Sequence, residues 1–493
     1  MERFRENKPT ADVLMSSMRA IGYSFEAAIA DIIDNSISVK ADLIEVKFPV
    51  DPSDLPFVAI CDNGSGMSEE ELFDAMKYGS ALKRNHREED DLGRFGLGLK
   101  AASLSQCRKL TVVSKKNGII SACIWDLDIV EEKKDWIMIE CTQEETEHIR
   151  FIDFLQNRES GTIVLWENFD IISKSAGNVY AELIENEAVT ADYLSLIFHR
   201  FLNKTGKDQL TIKINNFVLK GMDPFLEHHK KTDARRPFQL PIKDNDGIER
   251  MVTVQPYVLP FQKDLTNEDK KLSGGIENYR SKQGFYIYRN ERLIVWGTWF
   301  GRHRDELTKY ARIKVDIPNT LDEIWGIDIK KQNAKIPSSI KQRLTRAVDE
   351  AMDIAVKKQT YRGRIKKIDD KVDYIWQIRE NRGKTEYIIN RDSLIFELIK
   401  SKVDDEVWSY IDSVLEEIEN SIPFQQIYVD MARNNVNDSV DEERLAEVAD
   451  KARILISLAQ KVSGDTREQA IDKIMQSEPF SKYPDLREKL MEE

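Results

Sequence analysis

Cysteine is scarce in this sequence, and its spacing suits neither a metal site nor a redox motif. The 493 residues include four cysteines, Cys61, Cys107, Cys123 and Cys141, and no two of them form a CxxC pair. In a cytosolic protein of this size, scattered cysteines argue against both disulfides and a zinc site. Cys61 and Cys123 lie in apolar, strand-like runs, where we expect buried free thiols.

Long apolar runs are missing as well. The N-terminal residues MERFRENKPT are polar and do not resemble a signal peptide. No run approaches the roughly 20 apolar residues that a membrane span requires, so we expect a cytoplasmic protein without a membrane partner. The net charge of −13 gives no overall attraction to DNA or to anionic lipid, so a DNA contact would need a local basic patch.

The composition is that of a folded chain with more than one hydrophobic core. A hydrophobic content of 41% is ordinary for a globular protein. A chain of 493 residues exceeds what one core supports, so two or three domains are expected. We predict an α/β sandwich over residues 1–220, a second α/β unit over 221–337 and a helical region over 338–493. The helical region would serve dimerisation or partner docking.

The first unit begins with a helix, two strands and another helix. The run SFEAAIADIIDNSIS at residues 24–38 predicts a helix with Ser24 as its cap. LIEVKFPV and FVAICD predict two strands, and Ser68 is placed to cap the helix that follows. Residues 80–92 are polar and charged, which indicates an exposed loop before the glycines of GRFGLGLK.

Three short segments carry candidate chemistry. Asp31 and Asn35 are four residues apart in the first helix, so they project from one face. The amide oxygen of Asn35 suits a hard cation such as Mg²⁺, and a carboxylate one turn earlier can deprotonate a water. The alternative is that Asp31, Asp34 and Asn35 form the polar side of an amphipathic helix.

The second and third segments are rich in glycine. In CDNGSGM, Asp62 ends a buried strand, and Gly64 and Gly66 would let the backbone approach a flat base closely. The alternative is a plain β-turn. In GRFGLGLK the glycines precede a helix whose N-terminus, with Lys100, favours an anion. This segment is not a Walker loop, because the GK[ST] ending is absent.

Taken together and in this order, the segments resemble the N, G1 and G2 boxes of the GHKL ATPases. This superfamily includes gyrase B, MutL, histidine kinases, the ninety-kilodalton heat-shock chaperones and MORC proteins, and its ATP-binding domain is called the Bergerat fold. Thr162, after Gly161 at a strand start, is similar to the family's later Gly-Thr motif. The resemblance implies that Asn35 ligates Mg²⁺, that Asp62 and Thr162 fix adenine, and that a lid over residues 79–98 orders above ATP. The implied ATP-binding residues are Asn35, Asp62, Gly64, Gly66, Met67, Ser80, Lys83, Gly93, Gly96, Leu97, Gly98, Lys100 and Thr162.

The sequence departs from the family at the general base. Gyrase-like, MutL-like and MORC-like members usually have glutamate four residues before the magnesium asparagine, and this chain has Asp31. The shorter carboxylate leads us to expect a slow ATPase. An ATP-gated switch or chaperone-like module that binds proteins and hydrolyses ATP poorly is the alternative.

The second unit resembles the transducer domain of MutL-like and MORC-like proteins. DPF at residues 223–225 is similar to a link in MORC-like proteins, and DIKKQNAK matches the transducer segment that reports on the γ-phosphate. By that resemblance Lys335 would reach the γ-phosphate as a catalytic residue; Lys330, Lys331 or a plain basic loop are the alternatives.

What remains resembles the prokaryotic MORC-like ATPases of restriction and anti-phage systems. The resemblance implies an ATP-dependent homodimer with a nuclease or helicase partner encoded in the same operon. A basic cluster could also contact DNA, although a solvated helix face explains it equally well. Its members are Lys341, Arg343, Arg346, Lys357, Lys358, Arg362, Arg364, Lys366 and Lys367.

Overall fold

The computed structural model describes most of the chain. The described residues are 10–20, 22–77, 98–175, 177–275, 278–301, 304, 308–326, 344, 349, 372–381, 384–432 and 445–492. The chain divides into two compact units, Met1–Val356 and Lys357–Glu493, and each is considered by itself.

The unit Met1–Val356 contains two sheets, and the first of them has eight described strands. They are β1 Leu43–Lys47, β2 Phe57–Asp62, β3 Lys109–Lys116, β4 Ile119–Asp126, β5 Ile139–Glu140, β6 Gly161–Glu167, β7 Thr211–Ile214 and β8 Phe217–Val218. Their order across the sheet is β5-β4-β3-β6-β2-β1-β7-β8. Only the β1–β7 pair is parallel among these described strands; the other neighbours are antiparallel.

Ten described helices accompany this sheet. They are α1 Ala11–Arg19, α2 Phe25–Ser38, α3 Glu69–Met76, α4 Gly98–Gln106, α5 Leu127–Lys133, α6 Gln143–Glu147, α7 Ile152–Gln156, α8 Asp170–Ser175, α9 Val179–Ile197 and α10 His199–Leu202. Ser68 caps α3 with a full capping box, as its position in the sequence predicts. Ser24 occupies the N-cap position of α2 but makes no side-chain capping hydrogen bond there, so the prediction for Ser24 was wrong in that respect.

Both faces of the sheet are covered, and β2 is buried at every position. Because side chains alternate along a strand, Val58 and Ile60 pack in the core that includes α2 and α4. Ala59 and Cys61 face the other way, into a smaller core with α7. Cys61 and Cys123 are buried free thiols, as predicted. The carboxyl end of β2, at Asp62, therefore meets the helical layer.

The second sheet of the first unit contains the strands β9 to β14. They are β9 Asp233–Ala234, β10 Phe238–Lys243, β11 Glu249–Val258, β12 Gly284–Arg289, β13 Arg292–Thr298 and β14 Ala311–Ile317. The order is β10-β11-β14-β12-β13, with β9 paired to β11. Two short helices, α11 Asn267–Leu272 and α12 Asn278–Ser281, lie between β11 and β12. The α/β character expected for this segment is confirmed.

The two sheets share a core. Phe225 is almost fully buried, and its ring lies 4.7 Å from that of Tyr257 and 5.2 Å from that of Tyr286. All three belong to the same hydrophobic cluster as α2 and β2. An ion pair from Arg200 to Asp316 adds a polar contact between α10 and the second sheet. A second ion pair joins Lys204, just after α10, to Glu291 between β12 and β13.

The link between the sheets also contains a histidine held between two carboxylates. His228 Nε2 lies 2.9 Å from Asp269 Oδ1, and its Nδ1 lies 3.5 Å from Asp223 Oδ2. The hydrogen bond to Asp269 raises the pKa of His228 above its ordinary value. Hydrogen bonding from Thr266, with a contribution from His228, lowers the pKa of Asp269 to about 2.

Replacement of His228 by glutamine is expected to lower stability at about pH 6 more than at about pH 8.5. A raised pKa in the folded state means that the stabilisation is fully present below the pKa of the unfolded chain and is lost as pH rises through the folded value. The imidazole is half exposed, so the loss should stay below about 1 kcal/mol. Thermal unfolding at both pH values measures it.

His229→Gln is the matched control for this measurement, because His229 Nε2 lies beside the main-chain oxygen of Asp264 rather than a carboxylate. Equal pH dependence in the His228 variant and the parent chain would show that the ion pairs contribute no stability.

The unit Lys357–Glu493 contains six described helices and a hairpin. The helices are α13 Leu394–Lys400, α14 Asp405–Asn420, α15 Phe424–Ala432, α16 Leu445–Ser463, α17 Arg467–Gln476 and α18 Leu486–Glu492. The hairpin pairs β15 Trp376–Asn381 with β16 Lys384–Ile389 and was not expected from the helical periodicity of the region. Its apolar residues alternate over only a few positions, which is a weak signal. Across the described residues, none of the helices combines the length and apolarity needed to cross a membrane.

Candidate functional site

Helix α2 is a buried helix, and two of its carboxylates are buried with it. Ten of its 14 residues are buried, and Asp31 and Asp34 are only 3% and 0% exposed. This burial rules out the interpretation of these residues as the solvated side of an amphipathic helix. Because unpaired buried carboxylates are costly, each must be held by specific neighbours.

Asp31 lies between the chain before α2 and the start of α4. Its Oδ2 accepts a hydrogen bond from the Tyr23 hydroxyl at 3.0 Å. A side chain added at Gly98 would place its Cβ 3.4 Å from the same oxygen. Asn35 follows one turn later and is partly exposed. The α2 segment thus presents a fixed carboxylate and an accessible amide close together.

A polar row crosses three neighbouring strands at the end of β2. Asp62 is the register partner of Thr162 on β6, and Thr162 is the partner of Ser114 on β3. The hydroxyls of Thr162 and Ser114 lie 3.0 Å apart. The Ser114 hydroxyl also accepts a hydrogen bond from the main-chain N–H of Met67 at 2.8 Å. The row therefore connects both sequence motifs, Asp62–Met67 and Gly161–Thr162.

Asp62 is held as a buried hydrogen-bond acceptor. Its Oδ2 accepts from the Ser36 hydroxyl at 2.8 Å, and its Oδ1 accepts from the Gly64 N–H at 2.9 Å. Burial raises the pKa of Asp62 above its ordinary value, and these two hydrogen bonds, with one from the main chain of Thr162, oppose the rise. A carboxylate has about four lone-pair sites, so the group keeps acceptor capacity for a further donor.

Glycine is required at two positions around this carboxylate. Gly66 has a φ of +64°, and a Cβ there would lie 1.9 Å from the carbonyl oxygen of Lys115. At Gly161 a Cβ would lie 2.2 Å from the carbonyl oxygen of Asp62. These close approaches bring β2, β3 and β6 together beside Asp62, which a plain β-turn would not require.

Lys100 is placed differently from the other candidates. It is only 1% exposed, and its Nζ donates to the carbonyl oxygen of Ala75 at 2.7 Å. The ammonium thus faces the end of α3, where Trp125 Nε1 also donates to the carbonyl of Met76 at 3.0 Å. A phosphate contact for Lys100 stays a prediction.

Comparison with known proteins identifies the segment that contains this geometry. Residues 23–162 match the family described as histidine kinase-, DNA gyrase B- and HSP90-like ATPases. Residues 23–162 thus resemble a GHKL-family ATPase module and are called the GHKL module below. The match includes α2, the polar row and every described residue of the predicted ATP site.

The chain also resembles MORC proteins. It is 34% identical to the ATPase morc-1 of Caenorhabditis elegans over 98 residues, which is 20% of this chain and 11% of that protein. It is 27% identical to the ATPase MORC2B of Mus musculus over 127 residues, which is 25% of this chain and 12% of that protein. The chain thus matches only about a tenth of the length of these relatives.

The described residues of the GHKL module suit a magnesium nucleotide. Asp62 has acceptor capacity for an exocyclic amine, and Asp31 and Asn35 supply the carboxylate and amide oxygens that a hard cation and its waters favour. These described donors are oxygen atoms, which suit a hard cation better than a soft metal.

Several predicted residues of the GHKL module and of the transducer segment lie outside the described residues. They are Ser80, Lys83, Gly93, Gly96, Leu97, Lys330, Lys331, Lys335 and the whole basic cluster between Lys341 and Lys367. Their roles stay predictions.

The structure adds residues that the motifs did not indicate. Tyr23, Ser36 and Ser114 each bond to a predicted site residue, and Asp34 pairs with Arg292 of β13. Ser36 directly follows Asn35, so its position beside the motif was the one available signal. Contacts such as Asp34–Arg292 join residues 258 positions apart, and no local pattern reveals them.

Proposed function

We propose that this chain is a slow, magnesium-dependent ATP hydrolase whose ATP-bound form dimerises as a conformational clamp on DNA. The observation that carries the hydrolase proposal is the pair of buried carboxylates in the GHKL module, each held by its own hydrogen bonds. Asp62 is fixed by Ser36 and Gly64, and Asp31 is fixed by Tyr23. Two carboxylates in different environments can take different roles, one in binding and one in chemistry.

In this proposal Asp62 accepts a hydrogen bond from the adenine amine, beside the Thr162 and Ser114 hydroxyls. Asn35 ligates the magnesium ion, which neutralises phosphate charge when bound. Asp31 orients a water and accepts its proton during attack on the γ-phosphate. The Tyr23 hydroxyl holds the Asp31 carboxylate in place by a hydrogen bond. The attacking water must therefore bind within reach of a carboxylate whose position is already set.

The short side chain of Asp31 favours slow turnover. Aspartate is one methylene shorter than the glutamate that the family usually carries, and general-base catalysis depends on hydrogen-bond reach of about 3 Å. The same feature supports the second candidate, an ATP-gated switch that recruits a protein partner and hardly hydrolyses ATP. The two candidates share the nucleotide site and differ in the fate of the γ-phosphate.

Different observations support the proposed dimerisation and the proposed DNA contact. GHKL proteins commonly dimerise, and the resemblance to MORC proteins extends this to the present chain. The basic cluster Lys341–Lys367 supports a DNA-backbone contact, because clustered lysine and arginine attract phosphates. A role in restriction or anti-phage defence, with a nuclease or helicase partner, follows from the prokaryotic MORC-like resemblance.

Steady-state phosphate release from the purified chain tests the hydrolase proposal. We expect release that requires Mg²⁺ and is lost in Asn35→Ala, because that variant lacks the metal's amide ligand. The Asn35 variant is also the blank for contaminating phosphatases. Release equal to the blank, with ATP binding intact, would favour the switch instead.

The same assay with plasmid DNA tests the clamp. We expect stimulation that weakens as salt is raised, because phosphate contacts release counterions. Absence of stimulation at low salt would contradict the DNA clamp and direct attention to a protein client.

A further inference from the structure

A fully buried ion pair joins the ATPase module to the second sheet. Arg292 Nε donates to Asp34 Oδ1 at 2.8 Å, and the two side chains are 1% and 0% exposed. Asp34 lies in α2, and Arg292 is the first residue of β13. A buried pair is weak evidence for stability, because the desolvation of two charges offsets most of their attraction. A role in holding geometry explains it better.

The surroundings of Arg292 are aromatic and apolar. Its guanidinium carbon lies 5.7 Å from the centre of the Phe198 ring. Nearby, the ring of Tyr193 on α9 lies 5.9 Å from that of Trp296 on β13. The arginine is thus buried beside the Phe198 ring, which restricts the freedom of its side chain to follow Asp34 if α2 turns.

The charge of Arg292 interacts with other groups besides Asp34. Burial disfavours the charged guanidinium, but attraction to Asp34, Tyr193 and Asp31 outweighs this and raises the pKa of Arg292. Asp34 directly precedes Asn35 and follows Asp31 by three residues, so all three share a little more than one helical turn. Fixing Asp34 thus fixes the rotation of α2 at the position of the other two.

We propose that Arg292 is a positioning residue of the ATP site, supplied by the second sheet. Through Asp34 it holds α2 at the rotation that directs Asp31 and Asn35 into the site, and it transmits movement of α2 on nucleotide binding to β13. This role rests on the proposed function and is distinct from the contact predicted for Lys335, which concerns the γ-phosphate itself. Arg292 acts on the nucleotide through α2 alone.

The test compares Arg292→Met with the double variant Asp34→Leu/Arg292→Met. The single variant leaves a buried carboxylate without its partner and is expected to unfold at a lower temperature. The double variant replaces the pair by apolar side chains and should recover most of the unfolding temperature. Its kcat for ATP should nevertheless stay about tenfold or more below that of the parent chain, because Asp31 is no longer held in register. The KM should rise less than kcat falls, because Asp62 is untouched while Asn35 moves together with Asp31.

The matched control is Arg200→Met/Asp316→Leu. This pair joins α10 to the second sheet and does not involve α2. We expect a change in unfolding temperature with kcat unchanged. If the Asp34/Arg292 double variant recovers both stability and the parent kcat, the pair is merely structural and the proposal is wrong. Should that variant not fold, Arg292→Lys, which keeps the charge but not the guanidinium geometry, carries the same test.

A second readout separates this proposal from the hydrolase proposal. Hydrogen exchange of the β13 amides is measured with and without Mg²⁺ and a non-hydrolysable ATP analogue. We expect the analogue to slow exchange in the parent chain and not in the double variant. If the parent chain does not hydrolyse ATP but shows this protection, the hydrolase proposal fails and the Arg292 proposal stands. Absence of protection in the parent chain would overturn the transmission to β13.

Discussion

Replacement of Asp31 by asparagine is expected to reduce ATP turnover by about 10²- to 10⁴-fold, the usual contribution of a general base. Asparagine has nearly the same shape and still accepts the Tyr23 hydroxyl bond, so α2 should keep its packing. Nucleotide binding and ATP-dependent dimers should therefore persist. Single-turnover hydrolysis, with size-exclusion chromatography in the presence of ATP, measures both.

Tyr23→Phe is the companion variant. It keeps the Asp31 carboxylate and removes only the hydroxyl that orients it, so the loss should be smaller, about tenfold or less. Unchanged turnover in the asparagine variant would eliminate Asp31 as the base. Loss of dimers together with turnover would mean that Asp31 serves binding rather than chemistry.

Replacement of Asp62 by asparagine is expected to weaken ATP binding by about 10- to 150-fold, because hydrogen bonds to charged groups contribute about 1.5–3 kcal/mol. Asparagine keeps one acceptor oxygen but turns an N–H group toward either Ser36 or Gly64, which occupy the two carboxylate oxygens. Isothermal titration with ATP analogue and Mg²⁺ gives the affinity. An affinity equal to that of the parent chain would remove Asp62 from the adenine site.

Asp62 also predicts a pH dependence of binding. Burial raises its pKa, and the ionised form accepts hydrogen bonds from its protein partners and from adenine without donating one itself. As pH falls through the raised pKa, the carboxyl becomes protonated and ATP affinity should drop, at a higher pH than an ordinary aspartate would cause. GTP is the matched ligand: guanine presents an oxygen where adenine presents its amine, so GTP should bind weakly wherever Asp62 is ionised.

The sequence predicted the part of the site that consists of short motifs. Asp31, Asn35 and Asp62 occupy the predicted elements, and the family match from residue 23 to 162 supports their grouping. Gly66 was predicted as a position of close backbone approach, and its positive φ and its contact with the Lys115 carbonyl oxygen admit no side chain there. Local spacing and turn chemistry are sufficient for such features.

The sequence did not predict what depends on the pairing of strands. Ser114 lies in a strand that reads as ordinary β structure, and its role arises from its register with Thr162 on β6. Likewise, the sequence left a solvated position open for Asp34, and only the fold shows its ion pair with the distant Arg292. The hairpin β15–β16 was missed because a short alternating run within a helical region carries little periodic signal.

The core shared by the two sheets limits how evolution can recombine this chain. The change of pattern near residue 221 suggests a boundary, yet Phe225, Tyr257 and Tyr286 fill the same core as α2, and Asp34 takes its counter-ion from β13. An ATPase module grafted onto a foreign second domain would inherit a buried carboxylate without its arginine and a gap where the aromatic rings had been. Inheritance of the two sheets as one unit is the expected consequence.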